Sequence, residues 1–268
     1  LHTAIHSFPT RRSSDLLVYT LNKSRPTKDI DLLGSLKMTD SIELVNIFKE
    51  ILSIQCEDGI SFDSENILVS PINENEKYEY SGFQLKILAH LGQARLPISI
   101  DVGTGDVVFP VSEKAEYPVL LDYPAPMIKI YSKESVIAEK FETMVKMGLI
   151  NSRLKDFYDI WFLAGNFIFR ADILFKAVQQ TFKKRHSDID DRKFVFSDSF
   201  KNNPEKKQQW RAFLNKSRLT TEHEFPDALE LIENFLDPLF SGIIEKKEIF
   251  FWNNMSKEWK EQKPEIIS

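Results

Sequence analysis

The chain reads as an α+β protein, with a strand-rich first half followed by a helical second half. Three observations carry this. Short alternating apolar segments occupy 67–72, 83–91 and 96–102, the period of strands with one buried face. Pro110, Pro118, Pro124 and Pro126 then punctuate a connector. From residue 133 onward apolar residues recur at helical spacing between caps and stops such as Ser132 and Gly148.

Composition limits what the protein does. The chain has 268 residues, 42% hydrophobic and 28% charged, which suits one large or two modest globular domains and excludes a disordered chain. No run approaches the ~20 apolar residues of a membrane span. Cys56 is the only cysteine, so neither an internal disulfide nor a multi-cysteine zinc site is available, and a reducing, cytoplasmic setting fits. A net charge of −5 gives no overall attraction to nucleic acid. A nucleic-acid substrate would need a local patch such as Lys183-Lys184-Arg185 or Lys206-Lys207.

Residues 1–16 have neither helical nor strand period. They resemble translated sequencing-adapter read-through, and are read as a non-native segment. A core domain is expected over 17–125 and a helical domain over 126–268. In the core, Leu17-Val18-Tyr19 ends a strand or helix, a polar turn spans 22–28, and a strand over 29–33 stops at Gly34. A helix over 40–55 is capped by Asp40 or Ser41, with Ile42, Val45, Ile47, Phe48, Ile51 and Leu52 as its apolar stripe. The three strands follow, the last ending near Val102. The connector over 110–130 holds one possible strand. Helices are expected over 133–147, 152–163 (stopped by Gly165), 171–185, 204–215 and 226–240. Residues 186–203 read as a loop, and the tail after Lys246 as frayed.

The residues with chemical promise begin with Asp29-Ile30-Asp31. On a strand, positions i and i+2 share a face. Two carboxylates then repel unless a divalent cation sits between them, and hard oxygen ligands suit Mg²⁺. Asp101, near the end of an apolar strand, is costly unless paired or metal-bound. Beside the first pair it would complete a three-carboxylate site, able to hold two ions across a phosphoryl displacement. Lys140 borders an apolar helix face, and Asp156 and Asp159 are i,i+3 neighbours able to orient Lys140 or Arg153. Asp188-Ile189-Asp190 repeats the triplet without a strand around it and reads as a solvated decoy.

Four segments in order carry a family resemblance: Arg25-Pro26-Thr27-Lys28-Asp29-Ile30-Asp31-Leu32-Leu33-Gly34, Ile100-Asp101-Val102-Gly103, Val136-Ile137-Ala138-Glu139-Lys140-Phe141 and Arg153-Leu154-Lys155-Asp156-Phe157-Tyr158-Asp159-Ile160. Together they resemble the AbiEii/AbiGii toxin family of nucleotidyltransferases. The resemblance implies a DNA-polymerase-β-like core with a mixed sheet and flanking helices, followed by a C-terminal helical domain. It also implies Mg²⁺-dependent transfer of a nucleotide from an NTP to an RNA acceptor such as tRNA, and a cognate antitoxin encoded nearby. On this reading Asp29, Asp31 and Asp101 are the metal and catalytic residues. Lys140, with Arg153, Lys155, Asp156 and Asp159, serves nucleotide binding.

One departure matters. The family carries a Gly-Ser-like turn before its Asp-x-Asp strand, whose backbone N–H groups hold the NTP phosphates. Here Arg11-Arg12-Ser13-Ser14 stands in that region, which favours a rival reading, a catalytically impaired binding protein of the same fold. A metal-dependent phosphohydrolase is weaker, since none of the five histidines lies in these motifs. Placing a Lys-Gly-Ser-type segment directly before Leu16 is expected to raise nucleotide transfer by orders of magnitude, as an electrostatically preorganised site does. Labelled NTPs and an RNA pool read the difference; equal activity in both chains would place the phosphate contacts elsewhere.

Overall fold

The computed structural model describes residues 18–19, 30–34, 40–72, 82–119, 122–219, 221–241 and 250–261. These fall into two compact units. One comprises the described residues up to Asp106 together with Ser112–Tyr131; the other comprises Val107–Val111 and Ser132–Ser268. The division is thus not a single cut: residues 107–111 go with the second unit and the segment after them with the first.

The first unit is built on a mixed five-stranded sheet. Strand β1 (Ile30–Gly34) lies parallel to β5 (Ala94–Thr104), and β5 pairs antiparallel with β4 (Gly82–Leu91). Strands β2 (Ile60–Phe62) and β3 (Leu68–Pro71) both pair antiparallel with β4, at opposite ends of it. The β4–β5 hairpin turns through Gly92 and Gln93, and Gly92 takes the positive φ of 57° that such tight turns need.

Helix α1 (Ser41–Leu52) covers one face of this sheet. Asp40 is its cap, accepting from the Ile42 N–H at 2.8 Å. Leu44 and Phe48, one turn apart, pack onto Leu85, Ile87, Ile100 and Val102, with Leu32, Ile47, Leu52 and Val69 around them. The helix is therefore rotated from the expected stripe: Leu44 is fully buried and Ile42 is 68% exposed, because Ile42 sits in the first turn, on the side away from the sheet. A second hairpin, β6 (Glu113–Glu116) with β7 (Met127–Ile130), fills the Pro-rich connector where one strand was expected.

The second unit centres on α2 (Lys133–Met147), which packs against α3 (Leu154–Asn166) and α4 (Ala171–Lys184). Ser132 caps α2, and Gly148 closes it with φ 47°. The short helices α5 (Arg192–Val195) and α6 (Asp198–Lys201) and a 3₁₀ turn at Ile189–Asp191 replace the expected loop over 186–203. They bury Val195, Phe196 and Phe200, apolar anchors in a largely polar stretch. Helices α7 (Pro204–Ser217) and α8 (Phe225–Leu236) follow. Gly165 does not stop α3, which runs to Asn166; a Cβ there would meet open space, so the glycine relieves no clash.

The tail is ordered rather than frayed over residues 250–261. Strand β9 (Phe251–Asn253) pairs with β10 (Glu258–Lys260) and with β8 (Phe169–Arg170). Two indoles pin it: Trp252 donates to the Ala164 carbonyl at 2.7 Å, and Trp259 to the Phe235 carbonyl at 3.0 Å. Trp252 is buried and Trp259 stacks on Phe235.

One contact in the sheet is tight enough to test. Gly82 lies opposite Gly103, and a Cβ at 82 would come within 2.7 Å of the Val102 carbonyl oxygen. Backbone cannot swing aside as a side chain does, so Gly82→Ala is expected to destabilise the chain by about 1–3 kcal/mol, read as a lower urea midpoint.

Candidate functional site

The sheet sorts its residues by face. Ladder partners on neighbouring strands point the same way. Ile30 and Leu32 of β1 oppose Ile100 and Val102 of β5, on the face covered by α1. Asp31 opposes Asp101, and both therefore lie on the other face. Gln84 of β4 opposes Asp101 from the far side, and Ser70 of β3 opposes Gln84. A polar row of Asp31, Asp101, Gln84 and Ser70 thus crosses four strands. Gln84 Nε2 donates to Asp101 Oδ1 at 2.9 Å.

Asp29, the third expected carboxylate, lies outside the described residues. Among the described residues no group of three His, Cys, Asp or Glu side chains comes together to hold a metal; the structure brings together two of the three. Asp101 is also not at a strand end. Strand β5 continues to Thr104, with Gly103 paired to both Leu33 and Gly82. Gly103 is a ladder position where two strands approach closely. Two like charges directly opposed are unfavourable on their own, and hard carboxylate oxygens on adjacent strands suit Mg²⁺.

The other expected residues gather in the second unit. Lys140 Nζ lies 3.2 Å from Asp156 Oδ1 and 2.7 Å from Asp159 Oδ2, all three being almost wholly buried. The i,i+3 spacing of the aspartates on α3 delivers both to one ammonium on α2. Arg153, 39% exposed, reaches Asp156 Oδ2 at 3.4 Å. Lys155 is half-buried. Lys140 therefore does not snorkel to water; it sits between its two carboxylates.

Further buried charges escape sequence reading. Arg185 binds Glu142 at 2.7 Å and Glu139 at 3.3 Å, and Ser187 donates to Glu142 Oε1 at 2.5 Å. Lys206 donates to the Asn151 carbonyl at 2.6 Å and to Gln209 Oε1 at 3.2 Å. Burial pushes the Lys206 ammonium below its ordinary pKa. Asn151 in turn accepts the Arg153 N–H through Oδ1 at 2.8 Å, so Lys206 fixes the turn that starts α3. Arg185 and Lys206 are 4% and 1% exposed. Each expected basic patch thus loses a member to the interior, although Lys183 and Lys184 remain exposed.

Asp188 and Asp190 are exposed. Asp188 caps its 3₁₀ turn by accepting the Asp190 N–H at 2.9 Å. Hydrogen bonding from Lys193, with help from Arg192, holds the Asp190 carboxyl below the usual range. Both have local structural partners.

Residues 16–233 match the family described as "Nucleotidyl transferase AbiEii toxin, Type IV TA system". The match spans most of the chain, which therefore belongs to the AbiEii nucleotidyltransferase toxin family. The crystal structure of JHP933 from Helicobacter pylori is similar in fold, with a TM-score of 0.51 at 14% identity over 92% of this chain and 95% of that one. A second H. pylori structure, described as a candidate nucleotidyltransferase, aligns with a TM-score of 0.45 at 12% identity over 89% of this chain and 94% of that one. No curated protein matches the chain.

The Lys140 cluster makes a definite energetic demand. Removing the ammonium leaves Asp156 and Asp159 buried with less counter-charge, so Lys140→Met is expected to cost about 3–5 kcal/mol in urea unfolding. Adding Asp159→Asn should recover part of that loss. A cost below ~1 kcal/mol would show a pair no more valuable than an exposed one.

Proposed function

We propose that this toxin-family nucleotidyltransferase moves a nucleoside monophosphate from an NTP to an RNA 3′ end, with tRNA as acceptor, in the cytoplasm, and that an antitoxin protein encoded beside it restrains it. The observation that carries this reading is the register of β1 against β5, which sets Asp31 opposite Asp101 on the sheet face away from α1.

Asp31 and Asp101, joined by Asp29, would hold Mg²⁺. When bound, the metal polarises the phosphate oxygens and neutralises the charge that develops on them. Asp101 accepts the proton of the attacking RNA hydroxyl. The hydroxyl oxygen forms its bond to the α-phosphorus as the bond to the bridging oxygen of the β-phosphate breaks, and pyrophosphate leaves. Catalysis of this kind is mostly positioning and electrostatics. On the family resemblance, Lys140 with Arg153 and Lys155 serves nucleotide binding, and Asp156 and Asp159 orient them. Because Lys140 already lies between two aspartates, it reaches phosphate only by exchanging one carboxylate oxygen for a phosphate oxygen. Lys183 and Lys184 are exposed cations available for the RNA backbone.

The test incubates the chain with radiolabelled NTPs, Mg²⁺ and total RNA. Label is expected on RNA, and Asp31→Asn and Asp101→Asn should each lower its rate on the order of a hundredfold or more without loss of fold. NTP binding without label transfer would support the impaired binding protein instead, and free phosphate release would point to a hydrolase.

A further inference from the structure

We propose that Gln84 is a positioning residue for the carboxylate site, fixing the Asp101 side chain for a divalent cation without neutralising it. The inference rests on the reading of Asp31 and Asp101 as metal-binding residues, and adds a residue that no sequence motif contains. Gln84 and Asp101 face each other across the β4–β5 ladder, joined by the 2.9 Å bond from Nε2 to Oδ1. A carboxylate only accepts, so the amide must turn its nitrogen toward it. That bond fixes the carboxylate plane and occupies a lone pair of Oδ1, leaving Oδ2 to a further partner. Asp31 lies opposite Asp101 on the other side, from β1. Asp101 is thus flanked by a neutral donor and by a second carboxylate.

The neutrality of the donor is the informative feature. A lysine or arginine at 84 would pair with the Asp101 carboxylate and offset its charge. The chain does place a cation nearby: Lys86, two residues along β4, lies on the same face, opposite Ser99. At the position facing Asp101 it places an amide, which orients without supplying charge. Gln84 thus leaves the negative charge of Asp101 to a cation. Hydrogen-bonding partners that orient metal ligands in this way typically matter 10–100-fold in metal affinity.

The experiment measures Mn²⁺ binding to the full chain by the loss of the free-ion EPR signal, with no substrate present. Thermal unfolding of each variant serves as the fold control. Gln84→Met, Asp101→Asn and the double variant form a cycle. Gln84→Met is expected to weaken Mn²⁺ binding about tenfold, Asp101→Asn to weaken it further, and the double variant to match Asp101→Asn alone. Wild-type binding in Gln84→Met beside weakened binding in Asp101→Asn would overturn the role of Gln84 and leave the metal reading standing. A Gln84→Met loss that repeats in full on top of Asp101→Asn would show that Gln84 does not act through Asp101. Unchanged binding in Asp101→Asn would remove the metal reading itself, and this inference with it. Should Gln84→Met fail to fold, Gln84→Lys serves instead. Its ammonium can pair with Asp101, so a folded chain that no longer binds Mn²⁺ is expected, and undiminished binding would overturn the proposal.

Discussion

The register between β1 and β5 is the constraint on which the first unit depends. Side chains alternate across a strand, so a slip of one residue would turn Leu32 out of the core and Asp31 into it. The observed register puts Leu32 beside Val102 under α1, with Ile30 beside Ile100 on the same face. The same pairing, with no further adjustment, brings Asp31 to Asp101. Hydrophobic burial thus selects the register, and the register opposes the two like charges. The cost of opposing them is small beside that of burying a carboxylate in the apolar layer, which is why the core dictates the arrangement.

The second unit solves a different problem with the same kind of logic. Helix α2 carries Glu139, Lys140 and Glu142, all buried, a composition that a solvent-exposed helix would show. The interior accepts them because each meets an opposite charge from another segment. Lys140 meets α3 through Asp156 and Asp159, and the glutamates meet Arg185 beyond the end of α4. Replacing such networks with apolar side chains often costs nothing, but breaking one partner does. Their value lies in specificity: a helix with three buried charges has few alternative ways to pack against its neighbours.

How much of this was legible in the sequence follows from whether the signal was local. The caps at Asp40 and Ser132, the alternation of β4 and the i,i+3 aspartates of α3 are local patterns, and the structure contains each of them. The α+β class rests on the same local periodicities and is the class observed. The rotation of α1 was not legible, because apolar residues occupy both 42 and 44, on opposite sides of the helix, and the expected stripe took Ile42 and omitted Leu44; the sheet makes the choice of face. Nor were β8, β9 and β10 or the short helices over 192–201. Their apolar residues, such as Trp252 and Phe200, show neither a long helical nor a long alternating period, and their order comes from what those residues reach.

The charged residues show the same division more sharply. Lys183-Lys184-Arg185 and Lys206-Lys207 look alike in sequence as surface basic runs. In the fold, Arg185 turns inward to two glutamates and Lys206 to a backbone carbonyl and a glutamine amide. Each stands beside an exposed or half-buried neighbour: Lys206 because one side of its helix meets the core, Arg185 because it caps the end of α4. A run of like charges in or at the end of an amphipathic helix therefore overstates the surface potential it contributes. The same geometry works in the opposite sense at Gln84, a residue without charge and in no motif. Its importance to Asp101 comes entirely from standing opposite it on the next strand, a relation that exists only once β4 and β5 have paired.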